Sequence, residues 1–224
     1  MMYNKAMAEF IRARSETQKE ERLSQIKEAA TALFATVPYS TITLTTIAEK
    51  LGWSRANLYK YVTTKEEIFL EAVSDKMAAY YTSLLAAFPP GNQFSAAVIS
   101  EVWAGILNAN QEYLIYVSYL NTIIETNVTV DRLAAFKKKY YDFAYSVSDR
   151  LCEMLHLTKE AAYKLQLDIL FFASSSASTC CKNPLVQEAL KKIRITPPPA
   201  DFYADMKDFV LMRIEWETGR GKGV

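Results

Sequence analysis

A cluster of hydrogen-bonding and aromatic side chains follows a glycine within the first third of the chain. The stretch SRANLYKY holds an arginine, an asparagine, a lysine and two tyrosines within eight positions. On a helix with about 100° between successive residues, Leu58 and Val62 share one side, while Ala56, Asn57 and Lys60 share the other. Short or hydrogen-bonding groups at the tip of such a helix suit base edges, and longer donors beside them suit phosphates. The alternative is a solvated helix whose tyrosines pack on neighbouring helices.

Two short predicted helices and a glycine turn would position this cluster. Thr43 is placed to cap the first helix, Gly52 supplies a turn that tolerates positive φ, and Ser54 is placed to cap the second. The small side chain of Ala48 allows the two helices to approach closely. The capping-box sequence TKEE, which starts at Thr64, then opens a long helix. This arrangement predicts a helix-turn-helix whose second member, running to about residue 62, is a recognition helix.

Charge supports an anionic partner at this end of the chain. Residues 1–65 hold ten Lys/Arg against six Asp/Glu, whereas the whole chain has a net charge of only +1. Arg55 opposes the helix dipole, a cost that contact with a guanine or phosphate would offset. Lys65 sits at a helix N-terminus, where free N–H groups already favour an anion. Basic residues of the N-terminal arm either add phosphate or minor-groove contacts or form a solvated face interleaved with glutamates. They are Lys5, Arg12, Arg14, Lys19 and Arg22.

The remaining chain predicts an all-α fold. Glycine and proline are few, and helical periodicity recurs along the chain. Predicted helices cover 17–36, 43–51, 54–62, 64–87, 93–108, 110–126, 130–157, 159–182 and 201–217, with a shorter one at 184–193. We expect an N-terminal arm and helix-turn-helix domain over 1–65, a ligand-sensing and dimerisation domain over 66–217, and a flexible tail over 218–224.

Composition excludes several classes of protein. The single histidine, His156, has no ligand cluster at metal spacing, and no nucleophile–base pair or acid pair stands out, so we expect no metal, cofactor or enzyme activity. Cys152, Cys180 and Cys181 cannot form a disulfide framework, and two of them are adjacent. The sequence shows neither a signal peptide nor a long apolar run, so a cytoplasmic location without membrane association is expected.

The stretch TLTTIAEKLGWSRANLYKYVTTKEEIF, residues 43–69, resembles the DNA-binding signature of the tetracycline-repressor (TetR) family, and RLSQIKEAATALF before it resembles the family's first helix. The resemblance implies phosphate contacts from Thr43, Tyr59, Tyr61 and Lys65. It implies base-edge contacts from Arg55, Ala56, Asn57 and Lys60, with Thr45 assisting; the predicted DNA-contact set also includes Ser54. The sequence departs from the family pattern at Asn57, Tyr61 and Val62, which we expect to change sequence preference and not the activity. We expect Trp53, bulkier than the residue usual in the turn, to lie in the core.

The second region is predicted to dimerise and to bind a ligand. Segments 159–182 and 201–217 are apolar over more than one stripe, so we expect them to pack against their copies in a second subunit, as the resemblance also implies. The serine-rich run SSSAS predicts close approach of another helix. The resemblance further implies a small, apolar or aromatic ligand within this bundle, and we select candidate lining residues from its aromatics. They are Trp103, Tyr113, Tyr116, Phe136 and Tyr140.

The sequence therefore predicts a homodimeric, ligand-responsive regulator that binds a palindromic double-stranded DNA operator, acting as a repressor released by a small molecule. Two half-sites of such an operator would lie about one duplex turn, ~34 Å, or a multiple of it apart. The alternative is a helical small-molecule-binding or adaptor protein that lacks DNA-binding activity.

Overall fold

A computed structural model of the 224-residue chain describes residues 2–180 and 184–220, with side chains over 17–178 and 185–219. The regular structure of these residues is helical throughout. The α-helices are α1 (Met2–Phe34), α2 (Leu44–Leu51), α3 (Arg55–Leu58), α4 (Lys65–Ala87), α5 (Ala96–Ala109), α6 (Gln111–Tyr119), α7 (Val130–Leu155), α8 (Lys159–Cys180), α9 (Pro184–Ile193) and α10 (Phe202–Arg220). Among them, none combines the length and apolar character that a membrane span needs.

Some predictions concern residues that the structure does not describe. Cys181 and residues 221–224 of the expected tail lie outside the described residues, as do the side chains of Lys5, Arg12, Arg14 and Cys180. Residues 218–220, which were expected to belong to the tail, instead form the last turn of α10.

The chain divides into two compact units, and the division falls inside α4. Unit 1 comprises residues 1–72 together with 123–133, and unit 2 comprises residues 73–122 and 134–224. The expected boundary at 65/66 coincides with the first residue of α4, seven residues before the division. The sequence pattern also did not predict that residues 123–133, far along the chain, contact the N-terminal unit.

Unit 1 is built on a small core shared by its short helices. Ile26 of α1, Ile47 and Ala48 of α2, and Leu58 of α3 are almost fully buried. An aromatic cluster adds to this core: the ring of Tyr39 lies 5.0 Å from that of Phe69 and 6.2 Å from that of Phe34. Burial of these apolar groups fixes the position of α2 and α3, since neither helix is long enough to be stable alone.

Unit 2 is a helical bundle in which α5 packs on α10, α6 on α8, and α8 on α10. Two hydrogen bonds between buried groups join helices of this unit. Trp103 donates its indole N–H to the Tyr80 hydroxyl at 3.0 Å, and Ser174 donates to the carbonyl of Leu114 at 2.8 Å. The second bond joins α8 to α6 at the serine-rich run, where close helix approach was predicted.

The chain between α6 and α7 leaves the α-helical path predicted over 110–126. A π-helical turn spans Leu120–Ile124 and a 3₁₀ turn spans Glu125–Asn127. Side chains compete for backbone carbonyls here: the Thr126 hydroxyl and the Asn127 amide both donate to the carbonyl of Ile123. Such local bonds offer the backbone an alternative to regular helix, which explains why the predicted helix ends early.

Candidate nucleic-acid interface

Side-chain caps fix the N-termini of α2 and α3, and a glycine ends α2. The Thr43 hydroxyl accepts from the N–H of Thr46 at 3.1 Å, and the Thr46 hydroxyl accepts from the N–H of Thr43 at 3.0 Å. The Ser54 hydroxyl accepts from the N–H of Asn57 at 3.2 Å. Gly52 ends α2 with φ of +67°, a left-handed conformation that disfavours other residues. Thr43, Ser54 and Gly52 have the roles that the sequence predicted. Each role could be predicted because it depends only on residues a few positions away.

The recognition segment, which we define as residues 55–62, has one buried side and one exposed side. Leu58 and Val62 are 0% and 4% exposed and anchor the segment in unit 1. Ala56 and Lys60 are exposed, as the helical wheel predicted, whereas Asn57, which the wheel placed on the same side, is half-buried. Arg55 is also exposed. The α-helix proper ends at Leu58, and the chain continues to residue 62 through turns, with the N–H groups of residues 60–62 donating to carbonyls of residues 57 and 58.

Aromatic and basic groups flank this exposed side. Tyr59 is 48% exposed, and the Arg55 guanidinium carbon lies 6.0 Å from its ring centroid. Trp53 is half-buried rather than in the core, because the guanidinium carbon of Arg22 covers its ring at 5.0 Å and Tyr61 lies 6.0 Å away. Two separate parts of unit 1 therefore meet at one surface.

A polar groove opens between α1 and the end of the recognition segment. Its volume is about 610 Å³, and its lining includes Lys19, Arg22, Lys60 and Tyr61. Three cations and one carboxylate, that of Glu21, thus border one concave surface, and the excess of positive charge favours an anionic partner. Two further lining residues, Gln18 and Gln25, were not predicted as site residues; their only sequence signal is that they lie on the same turns of α1 as Arg22.

Lys65 occupies a different position from the one expected. Its ammonium donates to the carbonyls of Tyr39 at 2.9 Å and Ile42 at 2.8 Å, and lies 4.2 Å from the Tyr39 ring centroid. Burial lowers the pKa of Lys65 from its ordinary value, and the neighbouring Glu66 carboxylate partly offsets this. The ammonium ties the loop before α2 to the start of α4, so we expect a structural role for it in place of a phosphate contact.

The five aromatic residues expected to line a ligand site all lie in unit 2. Trp103, Tyr113, Tyr116 and Phe136 are buried, and Tyr140 is half-buried. Tyr113 and Tyr140 belong to a wider set of packed rings, whose separations are measured between ring centroids. Tyr113 lies 5.3 Å from Tyr80, Tyr80 lies 5.1 Å from Tyr81, and Tyr81 lies 6.2 Å from Tyr140. Burial raises the pKa of Tyr80, Tyr81, Tyr113, Tyr116 and Tyr140, so their phenols stay neutral.

Helices α8 and α10 carry exposed apolar side chains beside a buried ion cluster. Phe171, Met212 and Trp216 are each at least half exposed. Below this face, a guanidinium nitrogen of Arg213 contacts carboxylate oxygens of Asp168 at 2.7 Å and Glu217 at 2.6 Å. The cluster locks α10 onto α8, so the apolar side chains form one fixed surface.

Family models match both units of the chain. Residues 26–72 match the model described as bacterial regulatory proteins of the tetR family, and residues 71–215 match the tetracyclin repressor-like C-terminal domain. The chain belongs to the TetR family. This family comprises transcriptional regulators, and the two matches meet where the structure divides the chain. No curated protein sequence matches the chain significantly.

Solved structures of TetR-type regulators share the fold. The fatty acid degradation regulator FadR of Bacillus halodurans has a TM-score of 0.56 at 12% identity, over 86% of this chain and 94% of that one. A TetR/AcrR regulator from Thermobifida fusca YX-ER1 has a TM-score of 0.54 at 14% identity, over 87% of this chain and 96% of that one. A TetR-family regulator from Mesorhizobium loti MAFF303099 has a TM-score of 0.57 at 17% identity, over 90% of this chain and 97% of that one. At these identities the likeness establishes the fold.

Proposed function

We propose that this TetR-family chain binds a palindromic double-stranded DNA operator as a homodimer and represses transcription until a small molecule releases it. The observation that carries the proposal is the recognition segment itself. Its apolar side is buried in unit 1 and both helix caps are formed, while its arginine and lysine remain exposed. A helix held from one side with donors on the other is what major-groove reading requires.

The exposed side of the segment supplies the base contacts. Arg55 can bind the two acceptors of a guanine edge, and Asn57 can pair bidentately with adenine. Lys60 adds a further donor, the short side chain of Ala56 lets the helix approach, and Thr45 of α2 assists from the preceding helix. Each good bidentate pair contributes about 1–3 kcal/mol of discrimination against the wrong base.

The backbone contacts come from the flanks of the segment. Tyr59 and Tyr61 donate their hydroxyls to phosphates on either side, and Thr43 and Ser54 lie at the helix N-termini where phosphates are favoured. The cations of the groove, Lys19, Arg22 and Lys60, add a sequence-independent attraction. Lys65 contributes by holding the loop that carries Thr43, since its ammonium bonds to the carbonyl of Ile42, the residue just before it.

Dimerisation is proposed through α8 and α10. The exposed side chains of Phe171, Phe172, Met212 and Trp216 lie on two helices that pack on one another. Phe172 also stacks on Phe209, with 3.8 Å between ring centroids. A contiguous apolar surface of this kind marks a protein interface. Two copies joined here would present two recognition segments to one palindrome.

The ligand is proposed to bind among the buried aromatic residues of unit 2. Trp103, Tyr113, Tyr116, Phe136 and Tyr140 offer apolar faces with a few phenolic hydroxyls, which suits a small apolar or aromatic molecule. Such a ligand changes DNA binding only to the extent that it binds one conformation of the chain more tightly than the other.

Selection of bound duplexes from a random-sequence pool tests this function. Enrichment of an inverted repeat supports the proposal, and loss of that enrichment in Asn57→Ala identifies the recognition segment as the reader. If the folded protein retains no duplex at low salt, the result would instead support the alternative, a helical ligand-binding or adaptor protein without DNA-binding activity.

A further inference from the structure

The turn that ends the recognition segment is connected to a distant part of the chain through Glu67. This carboxylate is 4% exposed, and its two oxygens have different partners. One accepts from the backbone N–H of Thr63 at 3.0 Å. The other lies 3.3 Å from Nε of Arg132, at the start of α7. The sequence predicted Glu67 as part of a capping box with Thr64, but its carboxylate reaches one residue further back and also outward to α7.

A second connection runs beside the first. The Thr64 hydroxyl accepts from the N–H of Glu67 at 3.2 Å and donates to the carbonyl of Asn127 at 3.3 Å. Asn127 and Arg132 both lie in the segment 123–133 that belongs to unit 1. Two adjacent residues of the turn, Thr63 and Thr64, are therefore joined to this segment, one through the Glu67 carboxylate and one through a hydroxyl.

Packing alone does not hold the turn on this side. A cavity of about 330 Å³ lies against the Glu67 carboxylate, and its lining includes Leu23, Ile26, Val62 and Arg132. Where side chains leave such a space, contacts that would otherwise fix the neighbouring backbone are missing. Directional polar bonds then carry more of the task of fixing residues 61–64.

We infer that Arg132 and Glu67 are positioning residues for DNA reading: by fixing the Thr63 N–H, they set the orientation of the recognition segment that ends one residue earlier. The inference rests on the proposed DNA-binding function and adds the segment 123–133 to the part of the chain that reads DNA. Neither residue contacts a base in this account. Their removal should reduce discrimination between sequences and leave general attraction to DNA largely intact.

Full-length Arg132→Met and Glu67→Gln variants test the inference. Methionine keeps much of the apolar stem of Arg132, and glutamine keeps an acceptor for Thr63. The matched control is Lys138→Met, which removes an exposed ion pair with Asp142 from the same helix. Arg132→Lys, which keeps the charge, should restore part of any loss. Circular dichroism establishes that each variant is folded.

Two readouts separate failure of this inference from failure of the proposed function. Without DNA, hydrogen exchange of the Thr63 amide should accelerate at least about 5-fold in Arg132→Met and remain unchanged in Lys138→Met. With the duplex that the wild-type protein selects, the Kd should rise about 10-fold or more, while the Kd for a random duplex changes less than about 2-fold.

The two single changes should also be coupled. Both changes break the Glu67–Arg132 ion pair, and Arg132→Met also removes a 3.7 Å contact between Arg132 and the Glu71 carboxylate. The double variant Glu67→Gln/Arg132→Met should therefore lose no more discrimination than Arg132→Met alone. Unchanged Thr63 exchange together with unchanged discrimination in folded Arg132→Met would overturn the inference. If the wild-type protein selects no duplex, the proposed function fails, and the Thr63 exchange alone still decides whether the bridge fixes the turn.

Discussion

Replacing Lys65 by methionine tests the position that the structure gives to this ammonium. The side chain joins three features that lie 23 to 26 residues before it: the carbonyls of Tyr39 and Ile42 and the face of the Tyr39 ring. Methionine is similar in length and keeps apolar contacts, but it donates no hydrogen bond. The substitution therefore removes the polar contacts with little change in volume.

The expected loss follows from these contacts. Two hydrogen bonds at about 1–1.5 kcal/mol each, with about 0.5 kcal/mol for the cation over Tyr39, give about 3 kcal/mol. Burial has already cost the ammonium part of its hydration, which is why its pKa is lowered, and this offsets part of that gain. The net change in the free energy of unfolding should be about 2 kcal/mol, or roughly 4–8 °C in Tm for a chain of this length.

Urea and thermal unfolding followed by circular dichroism measure this change. Lys60→Met is the matched control, since Lys60 is exposed on the recognition segment and its loss should leave stability within about 0.5 kcal/mol. The salt dependence of DNA binding should change in Lys60→Met and not in Lys65→Met, the opposite of the effects on stability. The slope of log Kd against log salt should fall by roughly one in Lys60→Met and stay unchanged in Lys65→Met. Wild-type stability in Lys65→Met, together with a reduced salt slope, would contradict the structural assignment and restore a phosphate contact.

Three further predictions concern other parts of the molecule. Gly52→Ala should destabilise the protein by about 1–2 kcal/mol, because a φ of +67° strains any residue with a side chain, although no atom lies within 4 Å of the added Cβ. The control is Gly105→Ala within α5, where the added Cβ also meets no atom within 4 Å; this change should stabilise the protein by about 0.5–1 kcal/mol. Stability should fall as pH rises above about 10, because the buried phenols of Tyr80, Tyr81 and Tyr113 have raised pKa values and the unfolded chain releases protons that the folded chain retains. Absorbance at 295 nm should show that these tyrosines ionise only when the protein unfolds. Simultaneous ionisation of every tyrosine in the folded protein would refute this prediction. Trp216→Glu on α10 should convert dimer to monomer by light scattering, while Val98→Glu on α5 should not, and a dimer in both would place the interface elsewhere.

Local features of the DNA-reading unit could be predicted because their causes lie within a few residues. Caps at Thr43 and Ser54, the turn at Gly52 and the buried side chain of Leu58 each follow from neighbouring positions and from helical periodicity. The exposure of Arg55 does not follow from that periodicity, because a residue three positions before Leu58 shares the side of the helix that Leu58 occupies.

The long-range contacts could not be predicted in this way. Lys65 bonds to carbonyls of a loop near residue 40, and Glu67 pairs with Arg132, 65 positions later. Nothing in the spacing of those residues indicates such partners, and a lysine at a helix N-terminus suggests an anion when only its own helix is considered. The π turn at 120–124 was likewise missed, since it depends on side chains that compete for particular backbone carbonyls.

The burial of individual aromatic side chains was the feature that the sequence predicted least well. Trp53 is half-buried because Arg22, on a helix that precedes it by some thirty residues, covers its ring. Phe171 and Trp216 are exposed although their helices are apolar over more than one stripe. Composition predicts that such helices are covered, and the structure shows which of their side chains are exposed in a single chain.

We propose that Arg55, which is exposed, and Asn57, which is half-buried, read the DNA sequence from the recognition segment. The most direct test of this central claim is to measure the affinity of the purified full-length protein and of Arg55→Ala and Asn57→Ala for a selected duplex and for point variants of it. The account predicts that each variant loses about 1–3 kcal/mol of discrimination at particular base pairs, while affinity for random duplex is largely retained. Equal affinity of the wild-type protein for every duplex, or unchanged discrimination in both variants, would contradict it.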